Sequence, residues 1–186
     1  MKRLIIASLL VGLAASAQAT VIFSGKGTLT GAQEVPPHMV PGMGTATVTV
    51  DNGNDLNPNT NRLSWDIIFS KLTTNITAAH FHGPAQPGMN APIKVPITGS
   101  LLGAPGTSGE LKGSANISAA DFRQLTAGLW YANIHTVRYP DGEIRGQITG
   151  SAPSGSVPEP SSMALLGLAL AGLALPGLRN RRKTRQ

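Results

Sequence analysis

In Arg62-Leu-Ser-Trp-Asp-Ile-Ile-Phe69, the residues Leu63, Trp65, Ile67 and Phe69 recur at every second position. A period of two puts these four side chains on one face of an extended strand, with Arg62, Ser64 and Asp66 on the other. A helix advances ~100° per residue and would scatter them around its axis. The stretch therefore reads as a strand buried on one face, and such a strand needs partners and an opposing apolar layer. Thr45-Ala-Thr-Val-Thr-Val50 alternates in the same way. Between the two runs lie Asp51-Asn-Gly-Asn-Asp55 and Asn57-Pro-Asn-Thr-Asn61, turn-forming clusters that predict a long hairpin.

Further strands are expected at Val21–Thr30, Ile76–His82, Leu111–Ala115, Leu129–Thr136 and Glu143–Thr149, with Gly and Pro between them. One short helix is expected after Ser118. That residue can cap it, Asp121 follows three positions on, Phe122 and Leu125 make an apolar stripe, and Gly128 can end it. The fold class is all-β: an antiparallel, Greek-key-like sandwich or barrel with one short helix, flanked by N-terminal and C-terminal apolar targeting helices. With no cysteine in the chain, apolar burial and not disulfides must hold it together.

The charge of +6 suggests an anionic partner until its placement is read. Between Thr20 and Gly150, Lys26, Arg62, Lys71, Lys94, Lys112, Arg123, Arg138 and Arg145 are balanced by Glu34, Asp51, Asp55, Asp66, Glu110, Asp121, Asp141 and Glu143. The excess comes from Lys2 and Arg3 at one end and the Arg-rich tail at the other. Nucleic acid is not an expected partner.

Both ends read as processing signals. Residues 1–19 combine a basic start, an apolar run from Leu4 to Ala15 and an Ala17-Gln18-Ala19 cleavage site, the layout of a secretory signal peptide. Residues 20–150 form the expected domain, and Ser151–Ser156 (SAPSGS) a flexible linker. The remainder, 157–186, begins with Val157-Pro158-Glu159-Pro160, continues through an apolar helix at 161–178 and ends in a basic tail at 179–186. The uncharged run Met163–Leu178 would cover about 24 Å as a helix, short of the ~30 Å hydrocarbon core, so anchoring through it is read as transient. These three parts in this order resemble the PEP-CTERM sorting signal. The resemblance implies export in a Gram-negative, exopolysaccharide-producing bacterium, and recognition at Pro158, Glu159 and Pro160 by an exosortase-type membrane protease.

Four further motifs occur in order: Leu29-Thr-Gly-Ala-Gln-Glu-Val-Pro-Pro37, Ala79-His-Phe-His-Gly-Pro-Ala85, Gly128-Leu-Trp-Tyr-Ala-Asn-Ile-His-Thr136 and Tyr139-Pro-Asp-Gly-Glu-Ile-Arg-Gly146. With this spacing, roughly residues 22–150 resemble a CHRD domain. That module is repeated in the extracellular antagonist chordin and occurs singly in many exported bacterial proteins. Chordin's growth-factor partner does not carry over to a bacterial protein.

The histidines carry the chemistry. On a strand Ile76–His82, the residues Ile76, Ala78, His80 and His82 would share one face, with the His80 and His82 Cα atoms ~6.5–7 Å apart. His135 would share its face with Tyr131 and Asn133. If the strands are neighbours, His80, His82 and His135 can hold a metal ion, copper or zinc, because imidazole-only ligation suits these and suits calcium or magnesium poorly. The alternative is three buried histidines bonded to backbone carbonyls for structural reasons. His-x-His on a secreted β strand also parallels Cu,Zn superoxide dismutase, but that enzyme's further histidines and bridging ligand are missing here.

His38 offers itself as a fourth ligand, or with Met39 and Met43 as a soft Cu(I) site; ordinary loop residues are the alternative. Glu143 and Arg145 are expected to share a strand face and to pair with each other or with Asp141. Trp65, Trp130, Tyr131 and Tyr139 offer a weak sugar-stacking platform. No G-x-S-x-G elbow, P-loop or dinucleotide fingerprint appears. The reading is thus a non-enzymatic binding or structural module of the cell envelope or extracellular matrix, with exopolysaccharide or surface proteins as partners. Its alternative is a copper- or zinc-binding exported protein, redox-active if the metal is copper.

Overall fold

The strand that opened the argument forms as its period requires. In the computed structural model, which describes residues 20–52, 60–97 and 106–152, β3 (Thr60–Ser70) buries Leu63, Trp65, Ile67 and Phe69 and turns Arg62 and Ile68 outward. Its partners are β2 (Met43–Asp51), which buries Ala46, Val48 and Val50, and β6 (Gly109–Ser118). Trp65 sits opposite Gly113 on β6, and its indole covers that glycine: a Cβ there would stand 2.5 Å from Trp65 Cζ2. β6 is longer than its apolar content suggested. Glu110, Lys112, Ser114 and Asn116 face outward while the ladder to β3 continues to Ser118.

The other strands are β1 (Val21–Thr30), β4 (Ile76–His82), β5 (Ile93–Pro96), β7 (Tyr131–Thr136), β8 (Ile144–Gln147) and β9 (Thr149–Ser151). All pairings are antiparallel. The hydrogen-bonded path is β5-β4-β7-β8-β1-β2-β3-β6, with β9 also on β1. The sheet folds on itself into a nearly closed barrel or sandwich, so that β1, β2, β3 and β6 face β4, β5, β7 and β8 across one core. Trp65 meets the edge of Phe81 at 5.7 Å between ring centroids, and Phe81 lies 6.4 Å from Trp130. Full burial of a side chain such as Phe81 stabilises by about 1.5–3 kcal/mol.

The helix α1 (Ala119–Thr126) starts as its cap predicts. Ser118 Oγ accepts from the Asp121 amide and donates to the Asp121 carboxylate. Leu125 is buried, Lys94 pairs with Asp121 at 2.8 Å, and Gly128 takes a φ of 73° past the helix end.

Three local expectations are corrected. A bulge between Ile76 and Ala78 turns Ile76 into the core with Ala79 and Phe81, so only Ala78, His80 and His82 share the opposite face. The segment Glu143–Thr149 divides into β8 and β9, because Ile148 leaves the ladder and gives its N–H to Trp130 O. The short strand β5 was not foreseen. It is four residues long and ends in proline, which only a sheet edge tolerates.

Among the described residues no helix is long and apolar enough to cross a membrane. The signal-peptide cleavage site at Ala17 and Ala19, most of the linker, the motif Pro158-Glu159-Pro160, the apolar run at 161–178 and the basic tail lie outside the described residues.

Candidate metal centre

The face of β4 and β7 turned away from the core carries a polar layer. Register sets it: His80 pairs with Asn133, His82 with Tyr131 and Ala78 with His135 across β4 and β7, and Asn133 pairs with Arg145 across β7 and β8. Because β4 and β7 are direct neighbours, the three histidines meet. Each offers a ring nitrogen, and these atoms all lie within 4.8 Å of one another. A single point therefore lies within about 2.8 Å of all three, against metal–nitrogen bonds of ~2.0–2.1 Å, so small side-chain adjustments would complete a three-histidine site.

Hydrogen bonds fix which nitrogen carries a lone pair. His82 Nδ1 is 2.9 Å from Ala91 O, and His135 Nδ1 is 2.9 Å from Pro140 O. A carbonyl only accepts, so both Nδ1 atoms bear the hydrogen, and in neutral rings both Nε2 atoms are bare. His135 Nε2 faces His80 Nδ1 at 3.0 Å and accepts a hydrogen bond from its N–H. His82 Nε2 is buried and has no partner. Backbone carbonyls that orient imidazoles so that their other nitrogens converge are the outer-shell arrangement metal-ligating histidines use.

Burial disfavours the charged form of all three rings, and ligation requires neutral imidazole. Burial, reinforced by the neighbouring His135 and His82, pushes His80 down to about 4. Burial also lowers His82 and His135, against the opposing pull of their carbonyl partners.

The layer beyond is built on Tyr131. Its ring stacks parallel to His82, with 5.0 Å between centroids and 4° between planes. The Arg145 guanidinium also lies over the Tyr131 ring, 3.4 Å from its centroid. Arg145 donates to Asn90 Oδ1 at 3.1 Å and to Met89 O at 2.6 Å, and the Ala91 amide donates to the Tyr131 hydroxyl at 3.1 Å. Tyr131 and Arg145 thereby fasten the segment 89–91 that presents the carbonyl orienting His82. Glu34 is buried close by, and burial raises it to about 7 against the pull of Arg145.

Several expected partnerships do not form. β8 begins at Ile144, so Glu143 lies beyond its end and turns elsewhere. Its carboxylate accepts from Thr73 N at 2.7 Å, Thr73 Oγ1 at 2.8 Å and Thr136 Oγ1 at 2.7 Å, and pairs with neither Arg145 nor Asp141. His38 does not join the cluster; its ring packs on Tyr139 at 4.7 Å. Trp65, Trp130 and Tyr131 are buried and offer no sugar-stacking platform. The sequence reading put Tyr131 and Asn133 beside His135 but missed Arg145 and Glu34 as members of the layer. Arg145 had a signal: it lies in the motif that follows the Tyr131–His135 alternation, one antiparallel turn away.

The chain is an antiparallel all-β domain in which a His-x-His strand pairs with a strand bearing a third histidine. The CHRD domain model matches residues 26–148, and the chain belongs to the CHRD domain family. The PEP-CTERM protein-sorting motif matches residues 156–182, marking an exported cell-envelope protein processed by an exosortase-type system. No curated protein and no solved structure matches the chain.

Proposed function

We propose that this exported CHRD domain protein holds one copper or zinc ion on His80, His82 and His135 and acts as a non-enzymatic metal-binding module. One observation carries the reading: His82 Nε2 is a buried lone pair without a partner, beside two other imidazoles whose nitrogens lie within 4.8 Å. Histidines serving structure alone should be satisfied, because an unpaired buried acceptor costs about 1–3 kcal/mol. An ion would use that lone pair. When bound, it supplies Lewis acidity and, if it is copper, redox capacity; the chain's own part is to orient three neutral imidazoles and shield them.

The sorting motif supports a setting in the periplasm, outer envelope or extracellular matrix of a Gram-negative bacterium that makes exopolysaccharide. Removal of residues 1–19 after Ala19, and of the tail near Pro158-Glu159-Pro160, would leave the domain with its linker. Exopolysaccharide or surface proteins are the partners this setting offers, and co-fractionation with exopolysaccharide tests that part. Uniform release as free protein would refute it.

Metal content of the full chain, purified without a histidine tag, tests the centre, followed by titration with Zn²⁺ and Cu²⁺. One equivalent is expected in the natural chain and none in His80→Ala/His82→Ala. No uptake by the natural chain, or equal uptake by the variant, would end the proposal.

A further inference from the structure

Beside the histidine layer lies a hollow of about 400 Å³, within the ~300–1,000 Å³ of small-molecule sites. Glu34, Val35, Pro37, Pro87, Arg145 and Gln147 are among the residues that line it. Strand pairing brings them together. Arg145 and Gln147 stand two apart on β8 and so share a face. Thr30, at the end of β1, pairs with Arg145, and the chain leaving β1 carries Glu34 and Val35 to the same place. Hydrogen bonds tie the far wall down. Asn90 Nδ2 donates to Val35 O at 3.3 Å, Gln147 Nε2 donates to Ala85 O at 2.9 Å, and Arg145 holds Met89 and Asn90.

Its polar groups are left incompletely satisfied. Glu34 is 5% exposed, and its Oε1 is buried without a partner. The carboxylate is packed against the chain behind it: a Cβ on Gly142 would stand 2.8 Å from Oε1. Arg145 is 2% exposed, yet among the described residues no ion pair joins it to Glu34 or to another carboxylate. Its guanidinium has further N–H groups beyond those given to Asn90 and Met89. Gln147 spends its Nε2 hydrogens on Ala85 O and Gly128 O, which leaves Oε1 as an acceptor. A buried carboxylate and a buried guanidinium ordinarily pair, because each has lost its water. Here they stand apart around a shared space. Burial raises Glu34 to about 7, as it does for a carboxylate given no close partner.

We infer that this hollow binds a sugar unit, whose hydroxyls bridge Glu34, Arg145 and the side-chain carbonyl of Gln147. A hydroxyl both donates and accepts. It can give its hydrogen to Glu34 or to Gln147 Oε1 while it accepts from Arg145, and neighbouring hydroxyls on one ring can serve all three groups. A simple anion fits worse, because a carboxylate or phosphate brings acceptors against the two acceptors already there. Val35, Pro37 and Pro87 offer apolar surface to the C–H faces of the ring. The inference deepens the exopolysaccharide partnership proposed above and rests on it for the source of the sugar. It does not depend on an ion at His80, His82 and His135.

The test is saturation-transfer difference NMR of the full chain with D-glucose, D-galactose, D-mannose and L-rhamnose. At least one should bind, and Ala32→Trp should lose it. Ala32 lines the hollow and is exposed, so an indole there fills the space without entering the core. Glu34→Leu removes both oxygens at similar volume and should weaken binding about ten-fold or more, with its melting curve checking the fold. Ile68→Trp, also exposed but outside the hollow on β3, should bind as the natural chain does. No binding of any of these sugars, equal binding by Ala32→Trp, or displacement of the sugar by acetate, which Arg145 could hold alone, would overturn the inference. Co-fractionation separates the site from the partnership. If the natural chain and Ala32→Trp follow exopolysaccharide equally, the partnership stands and the site falls. Sugar binding that Ala32→Trp abolishes, without co-fractionation, supports the site and refutes the partnership.

Discussion

His82→Phe separates a ligand from a structural histidine. Phe keeps a flat ring against Tyr131, so the stack observed at 5.0 Å persists. It loses the Nδ1–H bond to Ala91 O, worth about 0.5–1.5 kcal/mol net. It also removes the unpartnered buried Nε2, whose burial costs about 1–3 kcal/mol. The two terms oppose each other, and the metal-free variant should match the natural protein within about 1 kcal/mol, a few degrees in Tm. Metal changes the comparison. Free ion at a hundred times Kd stabilises the natural fold by about 2.7 kcal/mol. For a domain of this size that is a rise on the order of 10 °C. The variant should show no such rise. Differential scanning calorimetry of chelator-treated protein, with and without Zn²⁺, measures both quantities. If His82→Phe costs about 3 kcal/mol or more without metal, and Zn²⁺ moves neither melting curve, the histidine is structural and the reasoning fails.

Three other outcomes follow from the geometry. Gly113→Ala drives a methyl against the Trp65 indole, 2.5 Å from Cζ2, and should cost about 1–3 kcal/mol in urea denaturation; an unchanged midpoint would mean that the ring moves freely. Glu143→Gln replaces one of two oxygens that between them face three donors with an amide nitrogen, and should cost about 1–3 kcal/mol by the same measurement, with no effect on Zn²⁺ uptake. The third concerns pH. His80 sits near 4 in the folded protein against 6.5 ordinarily, so the unfolded chain binds more protons between those values and stability rises with pH there. Glu34 sits near 7 against 4.5, so the folded chain holds the extra proton and stability falls as pH rises from 4.5 to 7. Glu34→Gln should abolish the second limb, and its urea midpoint should gain on that of the natural protein as pH rises through that window. A difference between the two that does not vary with pH would refute the Glu34 assignment.

Much of this was legible because period and capping are local. Leu63 to Phe69 declared their buried face, Ser118 and Gly128 marked the helix ends, and β1 and β4 span the residues expected of them. The errors arose where a neighbour overrode local pattern. The bulge after Ile76 reversed that residue's face, and β5 exists because β4 had an edge to pair. Glu143 escaped its expected partners because the strand begins one residue after it.

The sequence alone determined that the middle of the chain is an antiparallel β domain, that the excess charge belongs to its ends, and that His80 and His82 share a face. These follow from side-chain order along one strand, which the pleat converts directly into direction. Tertiary structure decided what the chemistry depends on: that β7 lies next to β4, bringing His135 within hydrogen-bonding distance of His80, and that Ala91 and Pro140 carbonyls turn two bare nitrogens inward. Strand order and loop placement come from how whole sheets bury apolar area against each other. No short stretch of residues encodes that by itself.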